Sequence, residues 1–209
     1  SSVIAGSGND YVTSSGNLAT ASVLGGSGND SLVFGGTTTN SRIELGTGKD
    51  TVNLVGAVST STIIGSTDSA STIDFDAAAN TVSVVGAAGA DTIIIGGIST
   101  KATVTAGSGN DSLSFAGITG SSVVGNAGSD TIHFSLGVTS STIVGGASAS
   151  FITGIGGLTS SYLLGQGGND LFSFQGGVTG GTILGGAGND IITAGPSSVT
   201  AATVMGGSG

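Results

Sequence analysis

The 209-residue chain contains no cysteine, one proline and only three basic residues against twelve acidic ones. It therefore forms no disulfide, which fits a secreted protein without disulfides but also fits a cytosolic protein. With so few lysine and arginine residues, the chain lacks the positive clusters that bind nucleic-acid phosphates or anionic membrane surfaces. Even the longest apolar runs are only a few residues, such as residues 93–95, which is too short for membrane insertion. No signal peptide is visible.

The abundant residue is glycine, with 42 copies, and valine, isoleucine and threonine are also frequent. Disordered chains are poor in β-branched residues, so the glycines are predicted to form ordered turns. The net charge of −9 comes from the carboxylates. If these carboxylates bound a divalent cation, the surface would become nearly neutral and prone to assemble.

A glycine-rich turn that ends in aspartate recurs at a regular spacing of about twenty residues. One copy, GGSGNDSLV, begins at Gly25, and another, GGAGNDIIT, begins at Gly185. Two doubled spacings contain degenerate copies with Ser71 and Ser150 at the aspartate position, so ten coils fit the chain. The motif aspartates are Asp10, Asp30, Asp50, Asp91, Asp111, Asp130, Asp170 and Asp190.

Apolar side chains follow the same period and alternate with small polar ones, which is typical of short strands. They recur two residues after each aspartate and seven residues before it, four residues after most of them, and at a fourth position whose spacing is less exact. The residues of this fourth column are Leu18, Val58, Ile98, Ile118, Val138, Leu158 and Val178. An outward polar row is predicted from Ser2, Ser22, Thr62, Thr103, Ser122, Thr142 and Thr182.

These repeats predict an all-β fold. It would be a right-handed parallel β-solenoid (a β-roll or β-helix) of about ten coils of ~20 residues, with equivalent positions stacked roughly 4.8 Å apart. We expect residues 1–209 to form one continuous solenoid domain. The pattern is in register at Ser1 and stops inside a motif at Gly209. We therefore expect a segment of a longer repeat protein or a filament subunit that stacks through its ends.

Stacking brings the aspartates of successive coils together along one edge, where their charges repel unless a cation lies between them. Glycines with positive φ can turn backbone carbonyl groups toward a common point. Such oxygens favour Ca²⁺, which accepts roughly 6–8 oxygen ligands in tolerant geometry, over Mg²⁺, which requires a stricter octahedron. Zinc is disfavoured because the chain has one histidine and no cysteine.

The motif resembles the RTX, or haemolysin-type, calcium-binding repeat GGxGxDxUx, which also occurs in bacterial surface-layer and surface-fibril proteins. The resemblance implies several Ca²⁺ ions along one edge, held by the aspartates and by carbonyl groups of the turns. The implied sites lie between Asp10 and Asp30, Asp30 and Asp50, Asp91 and Asp111, Asp111 and Asp130, and Asp170 and Asp190. The implied metal-binding residues are Asp10, Asp30, Asp50, Asp91, Asp111, Asp130, Asp170, Asp190, Gly6, Gly8, Gly26, Gly28, Gly46, Gly48, Gly107, Gly109, Gly186 and Gly188.

The chain departs from the RTX pattern because it has one motif per coil, whereas the usual RTX roll has two. We therefore expect metal along one edge only, and a broader coil with a third strand or a long loop. The fourth and eighth coils interrupt the metal row, and Asp68, Asp74 and Asp76 could partly compensate near the fourth. A metal-free solenoid in which each aspartate caps its own turn remains an alternative.

No enzymatic activity is expected. His133 lies between two apolar residues and should point outward, with no acid or nucleophile placed beside it by the repeat. The carboxylates recur along the whole edge, as in a structural array, whereas a glycosidase uses a single pair.

We therefore expect an extracellular, calcium-stabilised structural protein of a bacterial cell surface, surface layer or filament. We also expect type I secretion, self-association end to end or laterally, and contact with cell-surface polysaccharide. We expect neither nucleic-acid binding nor membrane insertion. The alternatives are an extender region of a large RTX adhesin, the secretion module of an exported protease or lipase, and a calcium-dependent ice-binding solenoid. Ice fits the motif edge badly, because Lys49, Ala90 and Ser129 replace the motif asparagine.

Overall fold

The computed structural model describes residues 1–196 and 199–209 as a stack of coils built from short strands. All strand pairs in it are parallel and join equivalent positions of successive coils; Ser2 pairs with Ser22, and Ser22 pairs with Arg42. The predicted all-β parallel β-solenoid is therefore confirmed. Within the described ranges no helix is long and apolar enough to cross a membrane.

Each coil begins with a strand of the first sheet, which lies directly before the glycine-rich turn. Alternation sets the direction of the side chains: in Ser22–Ser27, Val23 and Gly25 are buried while Ser22 and Leu24 are exposed. The strands of this sheet are Ser2–Ser7, Ser22–Ser27, Arg42–Thr47, Thr62–Ser66, Ser83–Ala88, Thr103–Ser108, Ser122–Ala127, Thr142–Gly146, Tyr162–Gly167, Thr182–Ala187 and Thr203–Ser208.

The second sheet follows the turn, and a short strand then forms a third face before the chain enters the next coil. The second-sheet strands are Tyr11–Ser14, Ser31–Phe34, Thr51–Leu54, Thr72–Phe75, Thr92–Thr100, Ser112–Thr119, Thr131–Phe134, Phe151–Gly154, Leu171–Phe174 and Ile191–Ala194. The separate short strands are Leu18–Ala19, Thr38–Thr39, Val58–Ser59, Ala79–Asn80, Val138–Thr139, Leu158–Thr159, Val178–Thr179 and Val199–Thr200. Thr92–Thr100 and Ser112–Thr119 extend across both faces. The expected third strand is thus present.

The three faces enclose one continuous apolar core. The column four residues after the aspartate carries its largest side chains, and two of them, Phe115 and Phe134, stack with ring centroids 5.3 Å apart. The columns two residues after and seven residues before the aspartate are also buried, except that Val3, Val12 and Ile192 in the outermost coils are only half-buried. The predicted outward row of serine and threonine residues is not buried.

One assignment to the fourth apolar column was wrong. Ile98 is 55% exposed, and Ser99 takes its place in the core with no exposed surface. Most residues of this column lie eight residues after the aspartate position, as Val58 and Val138 do, and after Asp91 that place belongs to Ser99. The irregular coil is the next one, which is one residue shorter, so that Ile118 pairs with Ser99 and the register shifts between Ile95 and Ile98.

Candidate metal sites

The turn between the first and second sheets has glycine two residues before all eight motif aspartates and four residues before five of them. Ala87, Asn126 and Gln166 take the second of these positions in the other three turns, with φ values from 77° to 89°. An ideal β-carbon at Gly26 would stand 1.9 Å from the carbonyl oxygen of Gly6, and one at Gly28 would stand 2.1 Å from that of Gly8. At Gly26 and Gly28 the stacked coil and the left-handed backbone therefore leave no room for a side chain. Positive φ values from 101° to 132° occur at all ten predicted glycines, Gly6, Gly8, Gly26, Gly28, Gly46, Gly48, Gly107, Gly109, Gly186 and Gly188.

The motif aspartates form a ladder along this edge, in which one carboxylate oxygen holds the preceding coil. The backbone N–H of Asp10 donates to Oδ1 of Asp30 at 2.9 Å, and that of Asp30 donates to Oδ1 of Asp50 at 2.8 Å. The same bond joins Ser71 to Asp91, Asp91 to Asp111, Asp111 to Asp130, Ser150 to Asp170 and Asp170 to Asp190. The aspartate thus caps the turn of the preceding coil, whereas the metal-free alternative had placed this cap on its own turn.

The second carboxylate oxygen, Oδ2, is buried and has no hydrogen-bond partner in any of the eight motif aspartates. Buried polar atoms in proteins nearly always have a partner, and a buried ionised carboxylate without one is costly. Exposure is 2% or less at Asp30, Asp50, Asp91, Asp111, Asp130 and Asp170. The edge therefore contains a row of acceptor atoms that the protein itself does not satisfy.

Five Oδ2 atoms lie beside a glycine of the first sheet, and a carbonyl oxygen of the following coil lies beside the same glycine. An ideal β-carbon at Gly165 would stand 2.1 Å from Oδ2 of Asp170 and 2.3 Å from the carbonyl oxygen of Gly185. The same pairing of Oδ2 with the next coil's carbonyl recurs around Gly25, Gly86, Gly125 and Gly185. Two oxygen acceptors thus lie on the same side of one glycine, and one of them, Oδ2, has no donor, an arrangement that suits a cation.

Burial raises the pKa of most of these carboxyl groups, because the charged form loses its hydration. The pKa of Asp91 rises to about 7, chiefly through burial, with a smaller contribution from the negative charge of Asp111. The pKa values of Asp50, Asp111 and Asp170 rise to about 6 for the same leading reason. Backbone N–H bonds to Oδ1 oppose these shifts without cancelling them.

In the two degenerate turns, an uncharged serine hydroxyl forms hydrogen bonds within its own turn. The hydroxyl of Ser71 accepts the backbone N–H of Ser66 at 2.6 Å. The hydroxyl of Ser150 accepts the N–H of Gly146 at 3.0 Å and donates to the carbonyl of Ser148 at 3.2 Å. Neither serine has an unpartnered buried oxygen. The contrast with the aspartates is therefore chemical, because the same turn position is complete with a hydroxyl and incomplete with a carboxylate.

Near the fourth coil, Asp68 lies in the turn and Asp74 does not. Oδ1 of Asp68 accepts the N–H of Gly48 at 2.8 Å and the hydroxyl of Ser66 at 2.9 Å, and the first of these bonds is the main cause of its lowered pKa. Asp74 lies in the second sheet, beside Asn53 and Ile94, where burial raises its pKa. Asp76 follows it on the same face and is exposed. Of the three acidic residues near the fourth coil, only Asp68 thus lies at the edge of the motif aspartates.

The motif asparagine, for which no structural role was predicted, forms a second ladder of hydrogen bonds. Oδ1 of Asn9 accepts the N–H of Asn29 at 2.7 Å, and Oδ1 of Asn29 accepts that of Lys49 at 2.8 Å. Asn110 and Asn169 make the same bond to the following coil. Repetition of asparagine directly before the aspartate was the signal that could have revealed it.

The donor set fits a hard cation. Within residues 1–196 and 199–209 there is no group of three or more His, Cys, Asp or Glu side chains placed to hold a metal. Ligands at this edge would thus be single carboxylate oxygens together with backbone carbonyl oxygens, a set that suits Ca²⁺ and does not suit zinc. His133 is remote from this chemistry, since its Nδ1 is 3.0 Å from the hydroxyl of Thr153 in the second sheet.

No protein-family model matches the chain, and no curated protein sequence matches it. A solved structure does: the crystal structure of a hyperactive, Ca²⁺-dependent, β-helical antifreeze protein from an Antarctic bacterium. The two chains superpose with a TM-score of 0.90 at 24% sequence identity. The match covers 99% of this chain and 64% of the other, so this chain spans less than two thirds of that protein's length. The comparison shows that the two proteins have the same β-helical fold.

Proposed function

We propose that this chain is a calcium-stabilised β-solenoid, in which Ca²⁺ ions along the aspartate edge join one coil to the next. The observation that carries the proposal is the row of eight buried Oδ2 atoms without a hydrogen-bond partner. Calcium dependence of the structurally similar antifreeze protein supports it. The ion would offset the charge of each buried carboxylate and satisfy the carbonyl oxygens that face it.

The proposal includes export from a bacterial cell. In the cytosol, where calcium is scarce, buried carboxylates without a cation would oppose folding and keep the chain loose. Outside the cell, calcium binds the folded state and not the unfolded one, so that its binding free energy becomes folding free energy. Catalysis forms no part of the proposal.

Circular dichroism and thermal melting with and without calcium test this function directly. We expect the β-sheet signal and the melting temperature to rise when calcium is added to chelated protein, and magnesium at the same concentration to have a smaller effect. Identical spectra and identical melting temperatures in both conditions would refute it.

For the biological role we propose a stiff structural or spacing element of the cell surface, either as a filament or surface layer or as the extender of an adhesin. Lateral self-association is supported by an aliphatic row on the outer side of the first sheet, since exposed apolar rows favour association. This row consists of Ile4, Leu24, Ile64, Val85, Val124, Val144, Leu164, Leu184 and Met205, and it is interrupted by Glu44 and Thr105. Its first, second and last residues are exposed, and the other apolar ones are half-buried. Electron microscopy with calcium separates the roles: ordered filaments or sheets indicate a polymer, and isolated rods indicate an extender. Polysaccharide binding is tested by adding purified cell-wall glycan to the same samples.

Ice binding is the second candidate function, and a specific array on the third face favours it. Six threonines of successive coils pair in register there: Thr100 with Thr119, and onward through Thr139, Thr159, Thr179 and Thr200. Strand pairing repeats them roughly every 4.8 Å, and such flat repetitive rows can order water. This array is more regular than the motif edge, where Lys49, Ala90 and Ser129 replace the motif asparagine. The similar solved structure is that of an antifreeze protein.

Thermal hysteresis measures this second candidate. Replacing Thr139 and Thr159 with tyrosine should abolish hysteresis by breaking the flat row. The matched control is Thr131→Tyr on the second sheet, where Tyr11 occupies the equivalent position of the first coil. Absence of hysteresis in the unmodified protein, or equal hysteresis in all three proteins, would exclude ice binding at this face.

A further inference from the structure

The two oxygens of a motif aspartate face opposite coils at Asp30, Asp91, Asp130, Asp170 and Asp190, and this direction determines which junctions between coils can hold a cation. Oδ1 is occupied by an N–H group of the preceding coil, whereas Oδ2 lies near a carbonyl oxygen of the following coil. A cation between two coils therefore needs only the aspartate of the first coil. We infer that cation sites follow individual aspartates, not pairs of them, and that the junction between the Asp130 turn and the degenerate Gly146 turn is such a site.

The geometry at Gly146 is the strongest ground for this inference, which rests on the proposed calcium dependence. An ideal β-carbon on Gly146 would stand 2.8 Å from the carbonyl oxygens of Asn126 and Gly128 and 2.9 Å from Oδ2 of Asp130. Three oxygens of one turn thus converge on the face of a glycine in the next coil. The carbonyl oxygen of Gly145 also lies beside this carboxylate, on the Gly125 side.

Asp130 has the character expected of a ligand. The residue has no exposed surface, and its Oδ2 atom has no hydrogen-bond partner. The carbonyl of Asn126 accepts one N–H group, from Ala147 at 2.8 Å, and a carbonyl oxygen has a second lone pair to offer. A single carboxylate surrounded by carbonyl oxygens is a ligand set for a hard cation such as Ca²⁺. Ser150, which replaces the aspartate in the eighth coil, therefore does not remove the cation site at the junction between the Asp130 turn and its own turn.

Each interruption is shorter than the sequence pattern suggests, because only the second of the two junctions around a degenerate coil lacks a site. At the junctions that follow Ser71 and Ser150, the first coil has a serine hydroxyl that already accepts an N–H group of its own turn. The aspartate of the second coil contributes only its Oδ1 atom, which already accepts the serine N–H. We thus expect no cation at the junction of Ser71 with Asp91 or of Ser150 with Asp170. The row would be divided there and nowhere else between Asp10 and Asp190.

The test is the number of Ca²⁺ ions bound per folded chain, measured by equilibrium dialysis with elemental analysis. Gly146→Ala places a methyl group where the three oxygens converge, on a backbone without positive φ, and should bind one ion fewer than the unmodified protein. The matched control is Gly16→Ala, where nothing lies within 4 Å, and its count should not change. Equal counts for Gly146→Ala and the unmodified protein would overturn the inference. Absence of bound calcium in the unmodified protein would instead overturn the proposed function.

A second pair of variants tests the same rule without altering the glycine. Serine is accepted natively at this turn position in Ser71 and Ser150, so Asp111→Ser should fold and should lose one ion. Adding Asp130→Ser should remove one more. If sites required two aspartates, Asp111→Ser would lose two ions and the added substitution none, and that outcome would overturn the inference. Far-ultraviolet circular dichroism of every variant confirms that the counts refer to folded protein.

Discussion

The backbone N–H of Asp111 donates a hydrogen bond of 3.0 Å to Oδ1 of Asp130, so the aspartate of one coil caps the turn of the coil before it. This bond orients the carboxylate and leaves its second oxygen buried and directed to the following coil. A carboxylate held in this way cannot turn outward to water without losing the cap. The consequences for stability can be measured.

Without calcium, the folded protein should be more stable at about pH 5 than at about pH 7.5. The pKa of Asp91 is raised from 3.8 to about 7, and those of Asp50, Asp111 and Asp170 to about 6. A raised pKa means that the folded state binds more protons, so this stabilisation is complete below the unfolded pKa and is lost as the pH rises through the folded pKa. Urea titrations in calcium-free buffer measure it. A midpoint that increases with pH over this range would contradict the expectation.

Saturating calcium should reverse that pH dependence. Metal binding requires the deprotonated carboxylate, so the ion stabilises the folded state more strongly as the pH rises from about 5 to about 7.5. The same urea titrations, repeated with calcium, provide the comparison. Parallel curves with and without calcium would show that the ion does not bind at the aspartate edge.

Asp91→Ser should change stability in opposite directions with and without calcium. Ser71 and Ser150 show that a hydroxyl at this position can complete the turn. The substitution removes a buried charge, and so should stabilise the chelated protein at neutral pH and destabilise the calcium-loaded protein. Differential scanning calorimetry under both conditions measures the two shifts. Asp76→Ser, in the exposed bend after the strand Thr72–Phe75, is the control that should leave the calcium dependence unchanged.

Gly26→Ala should destabilise the protein by more than about 1 kcal/mol. Its φ of 112° is unfavourable for any other residue, and the new β-carbon would meet the carbonyl oxygen of Gly6. Gly16→Ala has neither problem and should leave the urea midpoint nearly unchanged. Equal midpoints for the two variants would show that the stacked turns tolerate a side chain.

Phe134→Ala should cost about 3–5 kcal/mol, because it removes a fully buried ring from the core and leaves a cavity. The ring stacks on Phe115, so that the loss extends to the neighbouring coil. Phe151→Ala is the matched control, since Phe151 is 50% exposed on the outer side of the second sheet. Chemical denaturation in calcium compares them, and similar losses for both would contradict the assignment of the core.

Local regularity explains why much of this fold could be predicted from sequence. The spacing of Asp10, Asp30 and Asp50 shows the period, and alternation of apolar and polar residues within each period indicates strands and their inner faces. The positive φ of the motif glycines was likewise predictable, because glycine is the residue that adopts such turns without strain. Ile98 was misplaced because the spacing of this column varies by one residue: Ile118 is buried seven residues after Asp111, whereas the buried place after Asp91 is the eighth, Ser99. An apolar residue at the seventh place therefore did not reveal which of the two places faces the core.

By itself, the sequence determined the coil length, the apolar columns and the edge on which the acidic residues gather, since all three are repeats that can be counted along the chain. Only the tertiary structure decided what each carboxylate oxygen faces. Stacking commits Oδ1 to the N–H of the preceding coil and buries Oδ2 near carbonyl oxygens of the following one, as at Asp170 and Gly185. That direction arises from hydrogen bonds between residues about twenty positions apart, and no pattern within a single coil encodes it.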